Sequence, residues 1–133
     1  MVSNLVKRYA EYMTRVAKCD ALRVSYEDNP TPTKLQKYLA VSEGLIDLRQ
    51  SVLGASKDVI VSLSDKYALD PLAHRFRSLA AKRGALNRAA YSKIVTPEAG
   101  AKYITMLTSF KQDENKLLHD AMRVISELHK MEQ

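Results

Sequence analysis

The sequence predicts an all-α chain folded as an antiparallel four-helix bundle built from two successive helical hairpins. Three observations lead there. Apolar residues recur at three- and four-residue steps, which gathers them on one face of a helix, and no segment keeps the alternation of a strand. The prolines fall at turns: Asn29-Pro30-Thr31-Pro32, Asp70-Pro71 and Thr96-Pro97 each put a capping side chain directly before a proline. Proline suits the first helical position because its missing N–H would have no partner there. Finally, 133 residues are the size of one domain, enough to bury a core without disulfides or metals.

The first helix is expected from about Ser3 to Glu27, with Leu5, Tyr9, Met13, Val16 and Val24 on its apolar face. The second starts at Pro32 and runs toward Lys66 through Leu35, Tyr38, Leu45, Val52, Val59 and Leu63. Gly54-Ala55-Ser56 is a candidate break, because glycine commonly follows a helix C-terminus. Unbroken, this helix is roughly 52 Å long at 1.5 Å per residue and overhangs the third. The third helix, from Pro71 to about Lys93, carries Leu72, Phe76, Leu79, Leu86 and Ala90, and gives way to an Ile94-Val95-Thr96 turn. The fourth, from Pro97 to about Met131, carries Tyr103, Leu107, Phe110, Leu117, Ala121, Ile125 and Leu128. The short turns make consecutive helices antiparallel neighbours. The expected domain is therefore residues 1–133, with one hairpin over about 3–66 and the other over about 71–131.

A weak internal repeat accompanies the hairpins. Thr31-Pro32, Lys37-Tyr38, Val59-Ile60 and Leu63 recur 65 positions later as Thr96-Pro97, Lys102-Tyr103, Val124-Ile125 and Leu128. A duplicated hairpin and two helices under the same packing rules both explain it.

Four charged residues, Asp20, Arg49, Arg83 and Glu114, fall where the helical period calls for apolar ones. With both Thr-Pro turns at one end of a bundle, Arg49 lies level with Glu114, and Asp20 about one turn from Arg83. A buried charged layer of this kind adds little net stability but fixes register. A polar ligand site is the functional alternative.

Several chemistries lack their residues. No Glu-x-x-His recurs on two helices for a di-iron centre, His74, His119 and His129 have no ligand-spaced partners, and the scattered glycines form no phosphate-wrapping loop. Cys19 alone suits packing better than nucleophilic catalysis and rules out an internal disulfide. No catalytic residue, metal site or cofactor is expected. No apolar run reaches the roughly 20 residues of a membrane span, and Met1–Leu5 lacks the apolar stretch of a signal peptide. A soluble, intracellular, cytoplasmic protein is the expectation.

The net charge of +6 is unevenly placed. Between Pro71 and Pro97 there is no acid, while Arg75, Arg77, Lys82, Arg83, Arg88 and Lys93 are all basic. Arg75, Lys82 and Lys93 line one flank of the apolar stripe; Arg77 and Arg88 line the other, with His74 nearby. The first helix adds Lys7, Arg8, Arg15, Lys18 and Arg23 with Tyr12 among them. Arginine grips carboxylate or phosphate through paired hydrogen bonds. The expected function is a non-catalytic module acting through protein–protein contacts or self-assembly, an adaptor or a subunit of a larger assembly. Its contact residues are Arg75, Arg77, Lys82, Arg88, Lys93, Arg8 and Arg15. A nucleic-acid-binding or packaging bundle using the same residues is the alternative. In the plainest reading, acids on neighbouring helices, such as Asp58, Asp65, Asp113 and Asp120, answer part of the charge.

Overall fold

The computed structural model describes residues 2–91 and 96–131. They form four helices, α1 (Val2–Asp28), α2 (Pro32–Tyr67), α3 (Asp70–Tyr91) and α4 (Pro97–Met131), with no strand among the described residues. Helix–helix contacts are consistent with a four-helix bundle. Lys93 and the Ile94-Val95 turn lie outside the described residues.

The two Thr-Pro starts share one capping geometry. Lys34 N–H donates to Thr31 Oγ1 at 3.2 Å and Leu35 N–H to the Thr31 carbonyl at 3.0 Å. Ala99 N–H likewise donates to Thr96 Oγ1 at 3.1 Å and Gly100 N–H to the Thr96 carbonyl at 3.1 Å. Each threonine therefore satisfies a backbone donor left over by the first turn. The third start differs from expectation. Ala73 N–H bonds the Leu69 carbonyl at 3.0 Å, so Leu69 caps α3 and Asp70 sits inside its first turn. There Asp70 favours the helix through its charge beside the positive end of the dipole.

α2 continues through Gly54 without a break. It ends instead at Ala68, which takes the left-handed conformation (φ 57°) while Leu69 N–H reaches back to the Ser64 carbonyl at 2.9 Å. This is the six-to-one bond of a Schellman cap, made without the usual glycine.

The chain forms two compact units, residues 1–56 with 125–133 and residues 57–124. Their boundaries fall within α2, next to the Gly54-Ala55-Ser56 segment, and within α4. In the first unit Leu5, Tyr12 and Cys19 are buried on α1 at seven-residue steps, with Val52, Leu53 and Ser56 on α2 and Ile125 on α4. Lys34 Nζ donates to the Ser25 carbonyl at 3.3 Å across the base of the α1–α2 turn. Two of the apolar positions expected on α1 are largely exposed, Met13 at 40 % and Val24 at 47 %. The seam runs one position away, through Tyr12 and Cys19.

The second unit buries Ile60 from α2, Ala73, Phe76, Leu79 and Leu86 from α3, and Phe110, Leu117, Leu118, Ala121 and Met122 from α4. Ala90, expected inside, is exposed. Several positions 65 residues apart match in environment: Val52 and Leu117, Leu53 and Leu118, Ser56 and Ala121, and Ile60 and Ile125 are all buried, and Leu39 and Ile104 are both exposed.

Candidate protein-interaction surface

The surface with the most uneven charge is α3, in the second unit. Its lack of acids beyond Asp70 does not leave it uniformly positive, because α4 supplies carboxylates along one flank. Arg75 Nη1 donates to Asp120 Oδ2 at 2.9 Å, and Arg123 Nη2 donates to the other oxygen of that carboxylate at 2.9 Å. One turn pair further, Lys82 Nζ donates to Asp113 Oδ2 at 2.7 Å. Arg83 Nη2 donates to Glu114 Oε2 at 2.9 Å, and its guanidinium lies 5.2 Å from the centre of the Phe110 ring. Residue numbers rise on α3 as they fall on α4, so these bonds fix the two helices as antiparallel and set their register.

The opposite flank is different. Arg77, Arg88 and His74 are exposed, and neither arginine has an ion-pair partner among the described residues. A Cβ built on Gly84 would stand 3.5 Å from Arg88 Nη1, so the Arg88 side chain folds back over the glycine between the two arginines. Two uncompensated guanidinium groups thus lie about three helical turns apart on one side of α3. The notional basic flanks of the sequence resolve into one whose cations Arg75 and Lys82 are paired with α4 carboxylates and one that is open.

On α1 two of the five expected basic residues are answered within the helix. Arg15 pairs with Glu11 at 2.7 Å and Arg23 with Glu27 at 3.2 Å, both one turn apart and exposed, a geometry worth about 0.3–0.5 kcal/mol. Arg8 is half-buried. Tyr12, read from the sequence as interleaved with the surface charges, is instead 4 % exposed, its ring centre 6.5 Å from that of Tyr9. It belongs to the α1 seam.

The expected charged layer is also corrected. Glu114 is fully buried and Arg49 half-buried, but 49 % of the Arg83 side chain is exposed and Asp20 lies on the surface. Asp20 follows the buried Cys19 directly, and one residue turns the helix by about 100°, enough to carry a side chain off a narrow seam. Arg83 reaches the buried Glu114 from the rim with its long stem, keeping part of its charge in water.

Sequence reasoning missed a groove along the α3–α4 seam, whose floor includes Leu86 and Phe110 and whose rim includes Lys116. The signal was present in the small residues Ala85, Thr105 and Ser109, but only the register of α3 on α4 brings them together. No helix among the described residues is long and apolar enough to cross a membrane. Comparison of the chain with protein-family models, curated proteins and solved structures found no match.

Proposed function

We propose that this chain is a non-catalytic helical module, an adaptor or a subunit of a larger assembly, that binds an anionic protein partner through α3. The observation that supports this reading most is the open flank of α3, where Arg77 and Arg88 have no ion-pair partner among the described residues and no acid shares the helix beyond its first turn. An unanswered guanidinium offers paired donors to a partner's carboxylate without first breaking an internal bond. Arg75 and Lys82 contribute mainly field, since Asp120 and Asp113 already engage them. A partner of complementary charge gains encounter rate and orientation from such a surface.

Fluorescence anisotropy with labelled polyglutamate, mixed-sequence DNA and mixed-sequence RNA, at about 50 and 200 mM salt, tests the reading. Binding of the acidic polypeptide at both salts, with nucleic acid bound no more tightly, is expected. Tight nucleic-acid binding that falls steeply with salt would replace the protein-partner reading with a phosphate-binding one. Binding of no anionic probe at low salt would refute both.

A further inference from the structure

The α3–α4 groove has two stretches that meet at Lys82, both within the second unit. The first, about 290 Å³, has Arg75, Lys82, Asp113 and Lys116 around Leu79 and Leu117. Here the cations outnumber the acid. Arg75 and Lys82 are held by α4 carboxylates, whereas Lys116 is exposed and has no ion-pair partner among the described residues. The second stretch, about 340 Å³, is apolar: Leu86, Phe110 and Met106, with Ala85, Thr105 and Ser109 around them.

The groove is open because of what crosses the seam and what does not. Arg75–Asp120 and Lys82–Asp113 bridge α3 to α4 on one side of Lys82. On the other side the facing residues are Ala85, Thr105 and Ser109, too short to meet over the seam. Leu86 at 6 % and Phe110 at 7 % exposure form a firm floor. Half-buried Met106 supplies an adaptable wall, its unbranched thioether able to follow the shape of an inserted side chain. Met106 and Lys116 are ten positions apart on α4, or about 15 Å along the helix. That distance matches two to three turns of a helix lying in the seam.

We propose that this groove receives an acidic amphipathic helix of a protein partner. A large apolar side chain of that helix sits on Leu86, Met106 and Phe110, and a carboxylate two to three turns along meets Lys116. The choice of occupant follows from the charge: the polar end is cationic with one unmatched ammonium group, and the apolar end carries no acid. Helix-in-groove recognition uses this pairing of apolar anchors with flanking charge. The proposal rests on the reading of the protein as a protein-binding module and names the partner's chemistry.

The test uses the full chain and a labelled synthetic helical peptide, Glu-rich on one face with two leucine anchors on the other. The same peptide with alanine in place of leucine, and polyglutamate, serve as comparison probes. Anisotropy reads affinity, and methyl NMR of the methionines reads the groove through Met106. The leucine peptide is expected to bind about tenfold tighter than either comparison probe, as loss of an anchor in a desolvated pocket implies, and to shift the Met106 methyl resonance. Ser109→Trp, which fills the groove without changing charge, should weaken it by a similar factor, with the fold confirmed by circular dichroism. Lys116→Glu should weaken it as well, while Arg77→Glu on the far flank leaves the preference for leucine intact. Equal binding of all three probes, unaffected by Ser109→Trp and without a Met106 shift, would overturn the groove but leave α3 as an anionic-protein surface. Binding of no probe would overturn both.

Discussion

Arg83 and Glu114 form an unequal pair, and the inequality sets what each substitution costs. The carboxylate is fully buried, while nearly half of the Arg83 side chain is in contact with solvent. Replacing Arg83 by methionine keeps much of the stem's packing but removes a charge-assisted bond to a carboxylate that water does not reach. Such a bond is worth about 1.5–3 kcal/mol, and the cation over Phe110 adds about 0.5 kcal/mol at a partly exposed site. Arg83→Met should therefore cost about 2–3.5 kcal/mol. Glu114→Leu leaves behind an arginine that can turn to water, so it should cost less, about 1–2 kcal/mol, mostly from the change of shape and polarity in the core. The double variant removes both charges together and should be at least about 1 kcal/mol more stable than the sum of the single losses predicts. Urea unfolding followed by circular dichroism at 222 nm measures all three. An Arg83→Met variant within about 0.5 kcal/mol of the parent protein, the size of an ordinary surface substitution, would refute the reasoning.

Three further predictions concern the backbone. Gly54 lies in an unbroken helix with nothing within 4 Å of a Cβ built on it, so Gly54→Ala should stabilise the protein by about 0.5–1 kcal/mol in the same unfolding assay; a loss of stability would show a steric role that the structure does not contain. Thr31→Ala and Thr96→Ala each remove one capping bond of the same geometry and should each cost about 1 kcal/mol, with additive effects in the double variant because the caps share no partner. Ala68→Gly relieves a left-handed conformation that costs an L-residue about 1–2 kcal/mol, and a rise in the unfolding midpoint is expected once the added chain entropy of glycine is offset.

Much of the fold was legible because helix punctuation is local. The Thr-Pro starts and the apolar period name the helices, and Thr31 and Thr96 cap where the pattern says they should. Gly54 misled for a definite reason: a single glycine weakens a helix by only about 1 kcal/mol, less than the burial of Val52, Leu53 and Ile60 on either side supplies. The true end of α2 was hidden because Ala68 carries out a role that glycine usually signals. On α1 the misreading came from side chains of mixed character. Tyr12 and Cys19 suit a surface or a core, and only the seven-residue spacing from Leu5 picks out the buried seam over one through Met13.

The surface was less legible than the fold because charge pairing depends on register. Asp113 and Asp120 could be named as acids that answer α3, but not which cations they hold. That Arg75 and Lys82 are bonded while Arg77 and Arg88 are open follows from the rotation of α3 against α4. The groove beside Phe110 has the same origin, since small residues on two helices make a cavity only where they face each other.

The central claim is that the working charges of α3 are the unpaired Arg77 and Arg88, whereas Arg75 and Lys82 mainly hold α3 to α4. One comparison tests it: anisotropy of labelled polyglutamate and urea unfolding, both measured on Arg77→Gln/Arg88→Gln and on Arg75→Gln/Lys82→Gln. The account predicts that the first variant loses about tenfold or more in affinity with stability unchanged within about 0.5 kcal/mol, and that the second loses about 0.5–2 kcal/mol of stability with a smaller loss in affinity. The reverse pattern, with binding lost through Arg75 and Lys82 and retained without Arg77 and Arg88, would contradict it.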